Sequence, residues 1–420
     1  MKIAILGSGG REHAIADKIS KSSKLKKLYC IPGNAGTSHI AENINLEITD
    51  FDAIYKFVEN YKIDLVIVGP EKPLVDGVVD FLEKKNIKVF GPNKKVAQLE
   101  GSKIFTKQIC KKYNIPTAKF GIFETASQAV DFLKKTKMPL VVKADGLAAG
   151  KGVYICKDLE SSKKAVDEIF NGKFGIAKQL LIEEFLEGDE MSYFVLSDGK
   201  FFRSFNTAQD HKRVGEGDVG KNTGGMGAYS PSGLNNPELE KKIIDQIVKP
   251  TFKAINEIGE SYKGFLYVGL MIKNNEPYLV EFNVRMGDPE CQTILPLLKS
   301  DLLDLIVSCC NKSLEKHNIE WHEKKSLCIV LCSKGYPENY SKNIAILNFN
   351  KLKSDKSNFI FHAGTKVAKN EILATGGRVL NFVSISDNFK NSRDQVIEKI
   401  EKLNWENGFY RKDIGYKIIN

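Results

Sequence analysis

The stretch Lys143-Ala-Asp-Gly-Leu-Ala-Ala-Gly-Lys-Gly-Val153 follows a short apolar run, Pro139-Leu-Val-Val142, that predicts a strand. Within ten residues it carries three glycines and two lysines. Such a loop lays bare backbone N–H groups and ammonium charges against a polyphosphate. Its spacing is not that of a P-loop. That pattern needs four residues between its glycines and Ser or Thr after the lysine. Here three residues separate Gly146 from Gly150, and Gly152 follows Lys151. The expectation is a nucleotide phosphate held by a different architecture.

Upstream, residues 1–100 alternate strand-like and helix-like patterns. Strands are predicted at 3–6, 28–31, 65–68 and 88–90, with helices at 12–20, 51–61 and 75–85. The alternation implies a parallel sheet with helices on both faces, an α/β arrangement of the doubly wound kind. Each strand ends in a glycine-bearing loop, at 7–10, 32–36, 69–71 and 91–93. Ligands bind outside the carboxyl ends of such strands. The dinucleotide fingerprint fails, because position 12 is Glu where a third Gly is required. A small phosphorylated metabolite fits this region better than NAD.

Downstream, a helix is predicted over 103–113, a second α+β unit over 121–190 and further strands over 191–197, 265–272 and 277–282. A long polar loop is expected at 206–234, a length that usually signals function. Residues 326–420 read as a last small β-rich domain with a terminal helix at 393–403. The expected limits are thus 1–102, 103–325 with the second α+β unit at 121–190 inside it, and 326–420.

Val280-Glu-Phe-Asn-Val-Arg285 closes an apparent strand. In an extended chain Glu281, Asn283 and Arg285 point one way, and Phe282 and Val284 the other. A carboxylate and an amide oxygen on one face suit Mg²⁺, and a guanidinium beside them grips phosphate or carboxylate. A sheet edge with a surface ion pair is the bland alternative, and the upstream phosphate loop weighs against it. Glu183 to Glu190 reads as a helix start or as an adenine and ribose site. Asp210-His-Lys-Arg213 concentrates cationic donors where phosphoryl transfer uses them, or else merely solvates a loop. The glycines of Gly224-Gly-Met-Gly227 suggest close backbone approach to a ligand.

Bulk properties narrow the class. The formal net charge is +10, yet the lysines are scattered without interleaved aromatics, so neither nucleic acid nor membrane is expected as a partner. Eight cysteines without a secreted spacing, and no run of membrane-spanning length, point to the cytoplasm.

Taken in order, these motifs resemble one family, phosphoribosylamine–glycine ligase (glycinamide ribonucleotide synthetase) of the ATP-grasp superfamily. The carriers are Gly7-Ser-Gly-Gly-Arg-Glu-His13, Pro32-Gly-Asn-Ala-Gly-Thr37, Val68-Gly-Pro-Glu71, Leu99-Glu-Gly-Ser-Lys103, the 143–152 loop, Gln209-Asp-His-Lys-Arg213, the stretch 222–231, Glu281-Phe-Asn283, Gly287-Asp-Pro-Glu290, Phe361-His-Ala-Gly-Thr365 and Gly376-Gly-Arg378. The resemblance spans essentially the whole chain. It implies a central ATP-grasp fold of two α+β subdomains between the N-terminal sheet and the C-terminal domain. It also implies ATP-dependent joining of glycine to 5-phosphoribosylamine in de novo purine synthesis, through a glycyl phosphate, by a monomer rather than a dimer.

Carried over by position, Lys103, Lys143, Gly150, Lys151 and Gly152 would face the ATP phosphates. Glu183, Phe185 and Leu186 would line the adenine slot, and Glu190 would hold ribose. Glu281 and Asn283 would bind Mg²⁺ or Mn²⁺, as one or two ions. Arg285 and Lys143, with Asp210, would act in catalysis. Gly9, Gly10, Glu71, Asp288 and Arg378 would meet phosphoribosylamine. The strand before Glu281, Val268-Gly-Leu-Met-Ile272, carries no carboxylate for a second ion. A related ATP-grasp enzyme using formate or bicarbonate, and a nucleotide sensor without turnover, are the competing readings. The 224–227 loop and the 287–290 turn weigh against the first, and the intact set Lys143, Glu281, Asn283 and Arg285 against the second.

Overall fold

The computed structural model describes residues 1–147, 152–352 and 354–419. The N-terminal part is a five-stranded parallel sheet in the order Glu42–Asn43, Lys27–Pro32, Lys2–Gly7, Leu65–Val68, Val89–Phe90. Its strands are short apolar runs because both faces are covered: Ile3 and Ile5 enter one hydrophobic cluster, Ala4 and Leu6 another. Strand order reverses between Lys2–Gly7 and Leu65–Val68. The loops at 7–10 and 69–71 therefore leave the sheet side by side, with the Gly69 N–H donating to Leu6 O at 3.1 Å. The single helix expected at 75–85 is two helices, Glu71–Asp76 and Val78–Glu83. Gly77 at φ 101° stops the first in the left-handed region, which a side chain there would resist.

The segment holding the opening stretch folds as a four-stranded antiparallel sheet in the order Phe120–Phe123, Leu180–Glu184, Leu140–Ala144, Val153–Cys156. Helices Ala126–Leu133 and Leu159–Phe170 supply the rest of its own apolar cluster, with Leu140, Val142, Ile182 and Val166 at its centre. That cluster is separate from the two larger ones, so this subdomain has a core of its own.

A nine-stranded, mainly antiparallel sheet makes the remainder. It runs Glu276–Asn283, Lys263–Lys273, Asp189–Asp198, Phe202–Asp210, Gly227–Ser230, Lys325–Ser333, Arg378–Ser386, Asn358–His362, with Gly408–Phe409 also on Lys325–Ser333. The long polar loop expected at 206–234 is thus corrected. It contains the end of one strand, a two-stranded ribbon (Arg213–Gly215 with Val219–Asn222) and a second strand. The polar residues misled because they satisfy one another inside: Gln209 Oε1 accepts from Tyr229 Oη at 2.7 Å and Ser232 Oγ at 2.9 Å, and Ser230 Oγ donates to Thr207 O at 2.7 Å. The C-terminal strands continue this sheet without a break, and helix Phe389–Leu403 packs on two of them. Among the described residues no helix is long and apolar enough to cross a membrane.

Candidate active site

Antiparallel pairing sets Lys143 opposite Leu181 and Glu183 opposite Val141, so the lysine and glutamate meet diagonally on one face. Lys143 Nζ lies 2.8 Å from Glu183 Oε2, and Lys107 Nζ lies 3.2 Å from the other oxygen. Burial acts to raise the Glu183 carboxyl, and the two ammonium groups outweigh it, holding the group below the usual range. Burial pulls Lys107 and Lys103 down. Both project from helix Lys103–Tyr113, where residues four apart share a face. Lys107 was not foreseen, and its spacing from Lys103 was the available signal. Lys103 Nζ donates to Gly146 O at 2.9 Å. Asp145 accepts from Ser102 Oγ at 3.1 Å and from the Ile104 N–H at 3.2 Å. Gly152 O takes the Ala144 N–H at 2.8 Å. Gly150 and Lys151 lie outside the described residues. Phe185, 37% exposed, and Leu186, half-buried, follow directly after this strand.

On the facing sheet, Phe282 and Val284 are buried, while Glu281 and Asn283 turn to the cleft, as the period of two requires. Among the described residues Glu281 makes no hydrogen bond or ion pair, and the cations whose fields it shares are Lys103 and Lys212. Arg285 is held from several sides. Its Nη2 reaches Glu100 Oε1 at 2.7 Å and Asn283 Oδ1 at 3.2 Å, and its Nη1 reaches Met286 O at 3.2 Å. Its Nε lies 3.3 Å from Glu71 Oε2 without the alignment of a hydrogen bond, so this buried donor is left open. Burial pushes Glu100 up to about 7 in spite of Arg285. Glu71 feels the same push, but Arg285 and Arg11 hold it below the ordinary value. The strand beside Glu281 sets Gly269 opposite it and offers no carboxylate.

Glu190, Asp210, Lys212, Tyr267 and Glu281 line one recess. Lys212 Nζ pairs with Glu190 Oε2 at 2.6 Å and keeps that carboxyl low. Asp210 Oδ1 is buried without a hydrogen-bond partner, and burial raises the group well above the carboxylate range. The cationic cluster expected at 211–213 is divided, because neighbours in an extended chain face opposite ways. Lys212 turns into the recess. His211 Nε2 instead accepts the Gly415 N–H at 2.9 Å, and Arg213 Nη1 donates to Gly220 O at 2.8 Å in the ribbon.

Five loops distant in sequence converge beyond Arg285. Asp288 lies 3.3 Å from Arg378 Nη1 and accepts from Gln292 Nε2 at 2.7 Å. Arg378 Nη1 also donates to Gly224 O at 2.6 Å and Asp288 O at 2.7 Å. Gly225 at φ 112° brings the 224–227 loop flat against Pro289, where a side chain has neither the room nor the backbone conformation. A Cβ on Gly9 would stand 3.3 Å from Asp288 Oδ2, and one on Gly10 would run into Gln292 and Asn381. The Gly9 N–H is already donated to Glu12 Oε2 at 2.6 Å. Glu71 completes the group through Arg11, at 4.0 Å, and Arg285.

Comparison with known proteins fits this arrangement. Residues 1–100 match the family described as "Phosphoribosylglycinamide synthetase, N domain", residues 101–291 its "ATP-grasp (A) domain" and residues 326–417 its "C domain". A phosphoribosylamine–glycine ligase of Brucella melitensis is 44% identical over 420 residues, covering 100% of this chain and 98% of the relative. The crystal structure of phosphoribosylamine–glycine ligase from Thermotoga maritima superposes with a TM-score of 0.87 at 32% identity, covering 99% of this chain and 100% of that one. Biotin carboxylase from Campylobacter jejuni shares the fold alone, with a TM-score of 0.75 at 15% identity, covering 98% of this chain and 93% of that one. The fold and its two-sided cleft define an ATP-grasp enzyme, α/β throughout, with a parallel N-terminal sheet and a β-rich C-terminal part. The chain belongs to the phosphoribosylglycinamide synthetase family, the phosphoribosylamine–glycine ligases, which are ADP-forming carbon–nitrogen ligases.

Proposed function

We propose that the chain ligates glycine to 5-phosphoribosylamine with ATP as the energy source, in purine synthesis, by way of glycyl phosphate. A glycine carboxylate oxygen bonds to the γ-phosphorus as the bond to the β-phosphate oxygen breaks, releasing ADP. The ribosylamine nitrogen then bonds to the glycyl carbon, phosphate departs, and the nitrogen loses a proton. Such transfer asks the protein mainly for position and charge neutralisation. Lys143 and Lys103, with Gly150, Lys151 and Gly152, are assigned to the nucleotide phosphates. Glu183, Phe185 and Leu186 are assigned to adenine, and Glu190 to ribose. Arg285 steadies the transferring group, and Asp210 stands beside the amine. Gly9, Gly10, Glu71, Asp288 and Arg378 are assigned to phosphoribosylamine.

The open buried Nε–H of Arg285 carries this reading. The same guanidinium touches Asn283 on the nucleotide side and Glu71 on the acceptor side, so an anion passing between them meets it. Glu281 and Asn283 fit a hard cation by donor chemistry, since the Glu281 carboxylate has no partner among the described side chains. They would hold Mg²⁺ or Mn²⁺, which when bound neutralises phosphate charge. One ion is favoured, because Gly269 supplies no second carboxylate opposite Glu281. The working division remains 1–102, 103–325 with the lid at 121–190, and 326–420. Eight unpaired cysteines support a reducing, cytoplasmic setting.

Phosphate release with purified protein, ATP, Mg²⁺ and freshly made phosphoribosylamine tests the reading. Release is expected only when glycine is added, with glycinamide ribonucleotide formed in equal amount. Release that ignores glycine overturns it.

A further inference from the structure

Glu100 belongs to no assigned group, yet it reaches both halves of the site. It sits in the short helix Gln98–Gly101, at the junction of the N-terminal part and the first nucleotide-side helix. One carboxylate oxygen takes Arg285 Nη2 at 2.7 Å, and the other takes the Val284 N–H at 2.8 Å. The two bonds fix a side chain and the backbone that carries it. The charge-assisted bond to the guanidinium is short and directional. Two residues later Ser102 Oγ donates to Asp145, and Lys103 donates to Gly146 O. A four-residue segment, 100–103, thus grips Arg285 with its first residue and the start of the phosphate loop with its last two.

Arg285 has a second carboxylate neighbour, and the two differ in kind. Glu71 is 33% exposed on its side chain, stands 3.3 Å from Nε and makes no aligned hydrogen bond. Glu100 is 7% exposed and bonded through both oxygens. The Glu71 contact is thus the looser of the two and the Glu100 contact the firmer. Asn283 Oδ1 and Met286 O complete the grip but carry no full charge.

We propose that Glu100 is a positioning residue for the phosphoryl-transfer step, holding Arg285 so that its Nε–H stays open to the reacting anion while the segment 100–103 keeps that arginine in register with the phosphate loop. This rests on the assignment of Arg285 above. Losing the brace leaves the guanidinium present but misdirected, and misplacement on the scale of 1 Å costs on the order of 100-fold in rate.

The test is a cycle of Glu100→Gln, Arg285→Lys and the double variant, with Glu100→Asp as the conservative control. Glutamine still accepts the Val284 N–H but turns an amide donor towards Nη2. Glu100→Gln is expected to lower kcat by on the order of 10- to 100-fold. KM for ATP should stay within about threefold, and the thermal midpoint should change little. Glu100→Asp, which keeps a carboxyl group, should recover part of kcat and stands in if the glutamine variant does not fold. The double variant should be no slower than Arg285→Lys alone, because both act through one group. Losses that multiply, or a Glu100→Gln enzyme with full kcat beside a slow Arg285→Lys enzyme, overturn the proposal for Glu100. Full kcat in Arg285→Lys overturns the assignment of Arg285 itself.

Discussion

Two ammonium groups around one buried carboxylate set the character of the side proposed for the nucleotide. Glu183 is 4% exposed and would be costly to bury as an anion without Lys143 and Lys107. Lys107→Met keeps the aliphatic stem and removes one charge. It should cost about 2 kcal/mol of stability in urea titrations, and it should raise KM for ATP, because Glu183 then draws more on Lys143. Unchanged values for both would show that Lys107 is a bystander. The sequence made Lys143 and Glu183 visible because each stands in a recognisable motif. Lys107 has no motif. Its role depends on a helix turning it towards a strand 76 residues away in sequence. Asp210, His211, Lys212 and Arg213 show the opposite error, four residues grouped by adjacency that an extended backbone sends to two sides.

Among the elements, helix Lys103–Tyr113 packs against both the strand Leu180–Glu184 and the strand Glu276–Asn283 of the main sheet. Its first turn receives Asp145, a carboxylate at the positive end of a helix, from the strand Leu140–Ala144 that feeds the phosphate loop. Asp145→Ala should leave the fold intact and raise KM for ATP several-fold with a smaller change in kcat. Equal KM values for the two proteins would separate this contact from nucleotide binding. Four of the five strands in the N-terminal sheet were readable from apolar runs, to the residue at 65–68, whereas Glu42–Asn43, a polar pair, gave no such signal. The strands within 202–230 were not, because their side chains are polar and pair with each other, as Gln209 does with Tyr229 and Ser232. Gly77 was legible only as a helix residue, since nothing local shows that its φ is positive.

Across the whole molecule, a buried pair of histidines joins the first helix to the C-terminal strands. The His362 N–H donates to His13 Nδ1 at 2.8 Å, and Asn34 Nδ2 donates to both Ser8 O and His362 O at 2.8 Å. His13 Nδ1 must therefore stay unprotonated. Burial, and for His13 also the neighbouring His362, depresses both groups, His13 well below the usual value and His362 to about 3. In the unfolded chain both titrate near 6.5. Above that pH neither state is charged and the pair has no effect on stability. As pH falls from 6.5 towards 3 the unfolded chain takes up protons that the folded one refuses, and stability is lost. By pH 5 this amounts to about 2 kcal/mol for His362, and His13 adds a loss of the same sign. A His13→Gln, His362→Gln variant should show a flatter fall in thermal midpoint between pH 7 and 5 than the parent chain. Parallel curves would refute the linkage.

The continuous nine-stranded sheet bears on how such chains can be recombined. Gly227 pairs with Ile329 and Ser230 with Ser326, so among the described residues the one ladder joining the central strands to the C-terminal ones lies between two segments about a hundred residues apart. A chimera that exchanges 326–420 alone keeps one side of that ladder from each parent, with Tyr229 and Leu327 packed in the same buried cluster. Carrying 206–234 along with the C-terminal part keeps the matched edges together. The natural unit of inheritance here is a pair of edges rather than a stretch of chain.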